Sequence, residues 1–143
     1  MSPEMHAAVT TFKNECPRGV SVRSQSNPLY TLITVDGWPW KVHYEFRDNA
    51  ESRELYVEFH IEDSQYEGIK ETLKAIVAKV GEINGFKFDY FESRSWPNRK
   101  TRPSASITVP KDPDGRIAAA TMRSLIEATR GPLGLALHEY TAL

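Results

Sequence analysis

The sequence has a single cysteine, Cys16, in 143 residues. It can close no internal disulfide, so the fold must be held by burial and hydrogen bonding, and a lone thiol suits a reducing compartment. Net charge is scarce as well: 18 Lys and Arg stand against 19 Asp and Glu, a formal charge of -1. The mean field cannot draw such a molecule to polyanions, and any attraction to nucleic acid has to be local. Uncharged stretches are broken by Gly, Pro or Ser well short of the roughly 20 apolar residues that span a bilayer, and the first residues carry no apolar signal region. These absences predict a cytoplasmic chain that neither spans a membrane nor is exported by a signal peptide. No Walker A, G-x-G-x-x-G, H-E-x-x-H or C-x-x-C pattern occurs. The expectation is therefore no nucleotide cofactor, no structural zinc and no other metal.

What is present is ordinary for a globular chain: 40% hydrophobic and 26% charged residues, in a length that suits one domain over 1–143. Ser2 as N-cap, Pro3 at the first helical position, and Met5, Ala8, Val9 and Phe12 on one face predict a helix over 3–14. Val20 and Val22 alternate with Ser21 and Arg23, which suggests a short edge strand. Asp36-Gly37 is a two-residue hairpin signal that would set Val35 opposite Trp38, Ile33 opposite Trp40 and Thr31 opposite Val42, with Tyr44 and Phe46 on the same face. Pro39 then falls inside the second strand. Leu55, Val57, Phe59 and Ile61 mark the next strand after a turn at Asp48-Asn49.

Ser64-Gln65-Tyr66-Glu67 has capping-box spacing ahead of an apolar face of Ile69, Leu73, Ile76, Val77 and Val80, and Gly81 is a stop. Two more strands run through Phe86, Phe88 and Tyr90 and through Ala105, Ile107 and Val109. Asp112-Pro113 opens a helix with the stripe Ile117, Ala118, Thr121, Met122, Leu125 and Ile126, which Gly131-Pro132 should end. Leu133, Leu137 and Tyr140 are expected to form a short terminal helix on the core, or failing that a dimer surface. The fold class predicted is α+β: an antiparallel sheet of about six strands in the order α-β-β-β-β-α-β-β-α, helices on one face and a charged face toward solvent.

That charged face carries Lys41, His43, Glu45 and Arg47 beside Tyr56, Glu58, His60 and Glu62. Histidine and glutamate on neighbouring strands invite a metal or acid-base reading, but a wet cross-strand charge ladder accounts for the pattern, each pair contributing about 0.2–1 kcal/mol. A restriction-type nuclease would hold Mg²⁺ with an Asp and an E-x-K strand. Here the strand reads Glu58-Phe59-His60, with His for Lys and no suitable upstream Asp. His6 and His138 read as surface residues, and Cys16 as a small apolar side chain.

The strongest local charge asymmetry lies between the last two strands, where Arg94, Arg99, Lys100 and Arg102 face only Glu92 and flank Trp96. A charge run of this kind is ordinarily a solvated surface. On a projecting hairpin loop it also offers cations to phosphates and a ring for an unpaired base. The segments Arg53-Glu54-Leu55-Tyr56-Val57, the helix through Ile76, Phe86 to Phe91, Ser104 to Pro110 and the helix through Leu125, Ile126 and Thr129 follow one another in an order that resembles a bacterial domain of unknown function often joined to nuclease modules in restriction-like proteins. The resemblance runs from Arg53 to Leu137, rests on hydrophobic patterns, and implies an accessory role in a bacterial or phage nucleic-acid or defence setting with no catalytic residue to carry over. The reading that results is a non-enzymatic protein contacting nucleic acid or an acidic partner through Arg94, Trp96, Arg99, Lys100 and Arg102. A protein-interaction module, homodimeric in one form, is the alternative, and a metal-dependent nuclease the third.

Overall fold

A computed structural model describes residues 2–23, 29–39, 41–48, 51–62, 68–94 and 101–142. In chain order the elements are α1 (Pro3–Asn14), β1 (Val20–Arg23), β2 (Tyr30–Val35), β3 (Val42–Asp48), β4 (Glu54–Ile61), α2 (Lys70–Val80), β5 (Glu82–Ile83), β6 (Phe86–Arg94), β7 (Thr101–Pro110) and α3 (Arg116–Ala142). The strands form one antiparallel sheet of seven in the order β1-β2-β3-β4-β7-β6-β5. The class is α+β as the sequence predicts, but the sheet has seven strands rather than about six. The additional one is β5, two residues joined to β6 through Asn84-Gly85. Both turn residues have positive φ, 53° and 86°, which is the demand of a type I′ hairpin turn and the reason Asn-Gly fills it.

Asp36-Gly37 also turns the chain, with Gly37 at φ 85° and the Trp38 amide donating to the Val35 carbonyl at 3.1 Å, yet it does not close the tight hairpin expected. The ladder sets Ile33 opposite Tyr44 and Thr31 opposite Phe46, not opposite Trp40 and Val42. Pro39 has no amide to give a ladder, and the Trp38 ring turns into the core, stacked on Tyr44 at 5.7 Å and edge-on to Phe59 at 6.1 Å. Pro39 is therefore in the connection and not in a strand. The slip is by an even number of positions, so the alternation survives and the predicted residues keep their face.

That face is the core. Ile33, Val35, Val42, Tyr44, Phe46, Leu55, Val57, Phe59, Ile61, Phe88, Ala105, Ile107 and Val109 are buried together with the helix residues Met5, Ala8, Phe12, Leu73, Val77, Met122, Leu125 and Ile126. Phe12 of α1 meets Phe46 edge-on at 5.7 Å, Thr129 of α3 bonds the Tyr44 hydroxyl at 2.7 Å, and Lys74 of α2 lies over Tyr90 at 5.3 Å. All three helices thus lie on this side. The Ser2 hydroxyl caps α1 by accepting from the Met5 amide at 3.1 Å. Ser64 and Glu67 lie outside the described residues; α2 starts after Ile69 with no side-chain cap.

Helix α3 departs from its prediction at both ends. The Asp112 carboxylate does cap it, accepting from the amides of Arg116 at 3.0 Å and Ile117 at 3.3 Å, but the helix begins at Arg116. It then runs through Gly131-Pro132 as one helix of 27 residues, so there is no separate terminal helix. The apolar stripe continues past the proline, and Leu133 and Leu137 are buried in the core. Their burial outweighs the missing Pro132 amide. Among the described residues no helix is long and apolar enough to cross a membrane.

Candidate buried histidine and glutamate cluster

The face away from the helices is not the wet ladder that alternation predicts. His43, Glu45, Glu58 and His60 are 1%, 1%, 5% and 4% exposed, which places two imidazoles and two carboxylates in the interior. Neighbours within the sheet contribute to that burial. β3 and β4 are the third and fourth of seven strands, so each residue has cross-strand neighbours on both sides, and bulky ones flank the cluster. Phe91 meets the His60 ring edge-on at 5.8 Å, and Arg47 spans outward over Tyr30 at 5.7 Å.

Register does the assembling. His43 sits directly opposite His60, and Glu45 directly opposite Glu58. The two imidazoles stack with ring centres 6.0 Å apart. His43 Nε2 lies 3.3 Å from Glu45 Oε1, and His60 Nε2 lies 2.9 Å from Glu58 Oε1 and 3.6 Å from Glu45 Oε1. Like charges directly across a ladder repel, and burial sharpens the repulsion between Glu45 and Glu58. The half-exposed Arg47 relieves it: its Nε lies 3.3 Å from Glu45 Oε2 and 3.5 Å from Glu58 Oε1. From β7, which pairs with the other side of β4, Ser104 Oγ lies 3.2 Å from His60 Nδ1.

These neighbours set the protonation of the cluster. Burial works against the Glu45 carboxylate, but the hydrogen bond from His43 and the positive charges of His60 and Arg47 outweigh it and hold its pKa below the ordinary glutamate value. Burial likewise favours neutral His60, yet its bond to Glu58 and the charges of Glu45, Glu58 and Glu62 prevail and raise its pKa. The chain Ser104, His60, Glu58 has the connectivity of a nucleophile, base and acid. Ser104 is fully buried, however, and a hydroxyl that no substrate can reach does not attack one. Its role here is to orient the His60 ring. The sequence shows these residues on one face of two neighbouring strands; what alternation does not reveal is their burial.

The basic segment is placed differently. Arg94 ends β6 and Arg102 is the second residue of β7, so both belong to strands and not to a loop; Arg94 pairs with Thr101, and Arg102 is half-buried opposite Ser93. Trp96, Arg99 and Lys100 lie outside the described residues. Cys16 packs beside the core, its Sγ 3.1 Å from the Val20 carbonyl oxygen, and burial pushes its thiol pKa up, away from reactivity. Compared with known protein families, with curated proteins and with solved structures, the chain matches none.

Proposed function

We propose that the protein is a non-enzymatic binding module that engages nucleic acid through the distal end of the β6–β7 hairpin, with Arg94, Arg99, Lys100 and Arg102 meeting phosphates and Trp96 stacking on an unpaired base. One observation carries this reading. The last rung between β4 and β7 joins His60 to Ser104, whereas β6 and β7 stay paired for three further rungs, Glu92 with Pro103, Ser93 with Arg102 and Arg94 with Thr101. The hairpin therefore runs on past its neighbour and carries the cationic segment at its end. Strand pairing fixes the backbone of Arg94 and Arg102 before any ligand arrives, which lowers the entropic cost of presenting them. The burial of the histidine and glutamate cluster, out of reach of a substrate, supports binding over catalysis.

Titrating the protein with single-stranded and duplex DNA and RNA at two salt concentrations tests the reading. Binding is expected at low salt, and replacing Arg99, Lys100 and Arg102 together by Ala should flatten the salt dependence by about 0.7–0.9 log units for each phosphate no longer neutralised. Trp96→Ala should cost about 1–3 kcal/mol for single strands and little for duplex. Absence of binding to all four at low salt overturns the proposal and favours an acidic protein surface or a second copy as the partner.

A further inference from the structure

We infer that His43, Glu45, Glu58 and His60 form a binding site for one divalent transition-metal ion of the zinc type, contrary to the sequence-based expectation of no metal. The inference is independent of what the hairpin binds. Two imidazoles and two carboxylates are a nitrogen and oxygen donor set that suits Zn²⁺ and its neighbours, and no thiolate is needed.

Geometry comes first. An ion held tetrahedrally at about 2.0–2.1 Å from each donor spaces those donors roughly 3.3 Å apart. The contacts present are 2.9, 3.3 and 3.6 Å, and all pass through Glu45 Oε1 or His60 Nε2. The ligand atoms of Glu45, Glu58 and His60 already lie within 4.8 Å of one another, and rotation of the His43 side chain, now joined to the group through Glu45, completes the shell while the β3–β4 ladder stays fixed. Glu62 lies within reach as a further oxygen: its ligand atom and those of His43 and Glu45 are within 4.8 Å of one another.

Electrostatics asks for the same occupant. Two buried carboxylates need positive charge, and the half-exposed Arg47 guanidinium meets Glu45 Oε2 and Glu58 Oε1, while Glu45 Oε1 faces the two imidazoles. Where the Nδ1–H of His60 donates to Ser104, its Nε2, 2.9 Å from Glu58 Oε1, has to carry either a proton or a metal ion toward that carboxylate. Ser104 is then the outer partner that fixes the tautomer and aim of a ligating histidine.

A separate observation concerns His43. Its Nδ1 is buried with no hydrogen-bond partner among the described residues, although the ring is 1% exposed. Hydrogen bonding within the described residues supports this imidazole only through Glu45, which is poor compensation for burying it. A metal bond at Nε2, the nitrogen that faces Glu45, adds to the ring's compensation for burial, although Nδ1 itself stays unpaired among the described residues. With four protein ligands in the interior the site is closed, which fits an ion that ties β3 to β4 and not one that activates water.

The full chain, stripped by a chelator and titrated with Co²⁺ and then Zn²⁺, tests this. We expect one Co²⁺ per chain with the visible absorption of tetrahedral Co²⁺, its displacement by one Zn²⁺, and loss of the band in Glu45→Gln and in His43→Gln/His60→Gln. Because these variants can unfold, the wild-type protein is also read by nitrogen NMR. Zn²⁺ should shift the ring nitrogens of His43 and His60 and spare His6 and His138. A folded wild-type chain that shows neither band nor shift at stoichiometric ion overturns the inference and leaves the cluster closed by a proton on His60. Stoichiometric binding that persists without both histidines overturns it as well.

Discussion

Gly115 is the residue at which the fold depends on having no side chain. Its φ is 66°, and a Cβ there would collide with the backbone of Ala7 and Ala8, so α1 reaches α3 only because nothing projects between them. Gly115→Ala meets both the positive φ, about 1–2 kcal/mol alone, and that collision; urea denaturation should show a destabilisation well above about 2 kcal/mol. Asp48 is a second residue whose role is tertiary. In the sequence it reads as half of a turn with Asn49, and nothing local announces its partners. In the fold it ends β3, with Oδ1 2.8 Å from Lys111 Nζ and Oδ2 accepting from the Ser2 amide at 3.1 Å. Burial opposes its charge, but Lys111 and Ser2 outweigh burial and hold the pKa below the ordinary aspartate value. A depressed folded pKa contributes stability above the unfolded value of about 3.9 that is lost as pH falls through the folded one. The wild-type urea midpoint should therefore drop on acidification from about pH 5 to about pH 2 by more than that of Asp48→Asn.

Among the elements, the ones with long regular alternation or periodicity are legible in the sequence. α1 spans the predicted residues, and the apolar positions predicted for the core in β2, β3, β4 and β7 point there, while Leu32 of β2 lies on the other face opposite Glu45. What local signals miss is where tertiary packing overrules them. Asp36-Gly37 and Asn84-Gly85 are similar hairpin signals, yet only the second closes a two-residue loop, because Trp38 finds a place in the core and Pro39 cannot join a ladder. Gly131-Pro132 likewise fails to stop α3, because Leu133 and Leu137 are worth burying. The proline is then a fault tolerated inside a helix. Pro132→Ala should restore an amide and relieve the ring, raising stability by up to about 3 kcal/mol, and an unchanged or lowered urea midpoint would show that α3 gains nothing there.

At the scale of the whole molecule, the sheet consists of two local parts joined by one distant contact. β1 to β4 form a meander from consecutive chain, β5 to β7 form a second, and only the β4–β7 ladder connects them within the sheet. The same joint explains why the candidate site is half legible in the sequence: His43, Glu45, Glu58 and His60 come from one part and can be paired on paper, while Ser104, 44 residues from His60, arrives from the other. It also sets an order of events in time. Hairpins close quickly, but the joint must first close a long stretch of chain, so it should form at the top of the refolding barrier. Val57 and Ile107 face each other across it, whereas Val22 and Ile33 pair at the outer edge. In a chevron analysis Val57→Ala should slow refolding nearly in proportion to the stability it removes, while Val22→Ala should leave refolding almost unchanged and hasten unfolding.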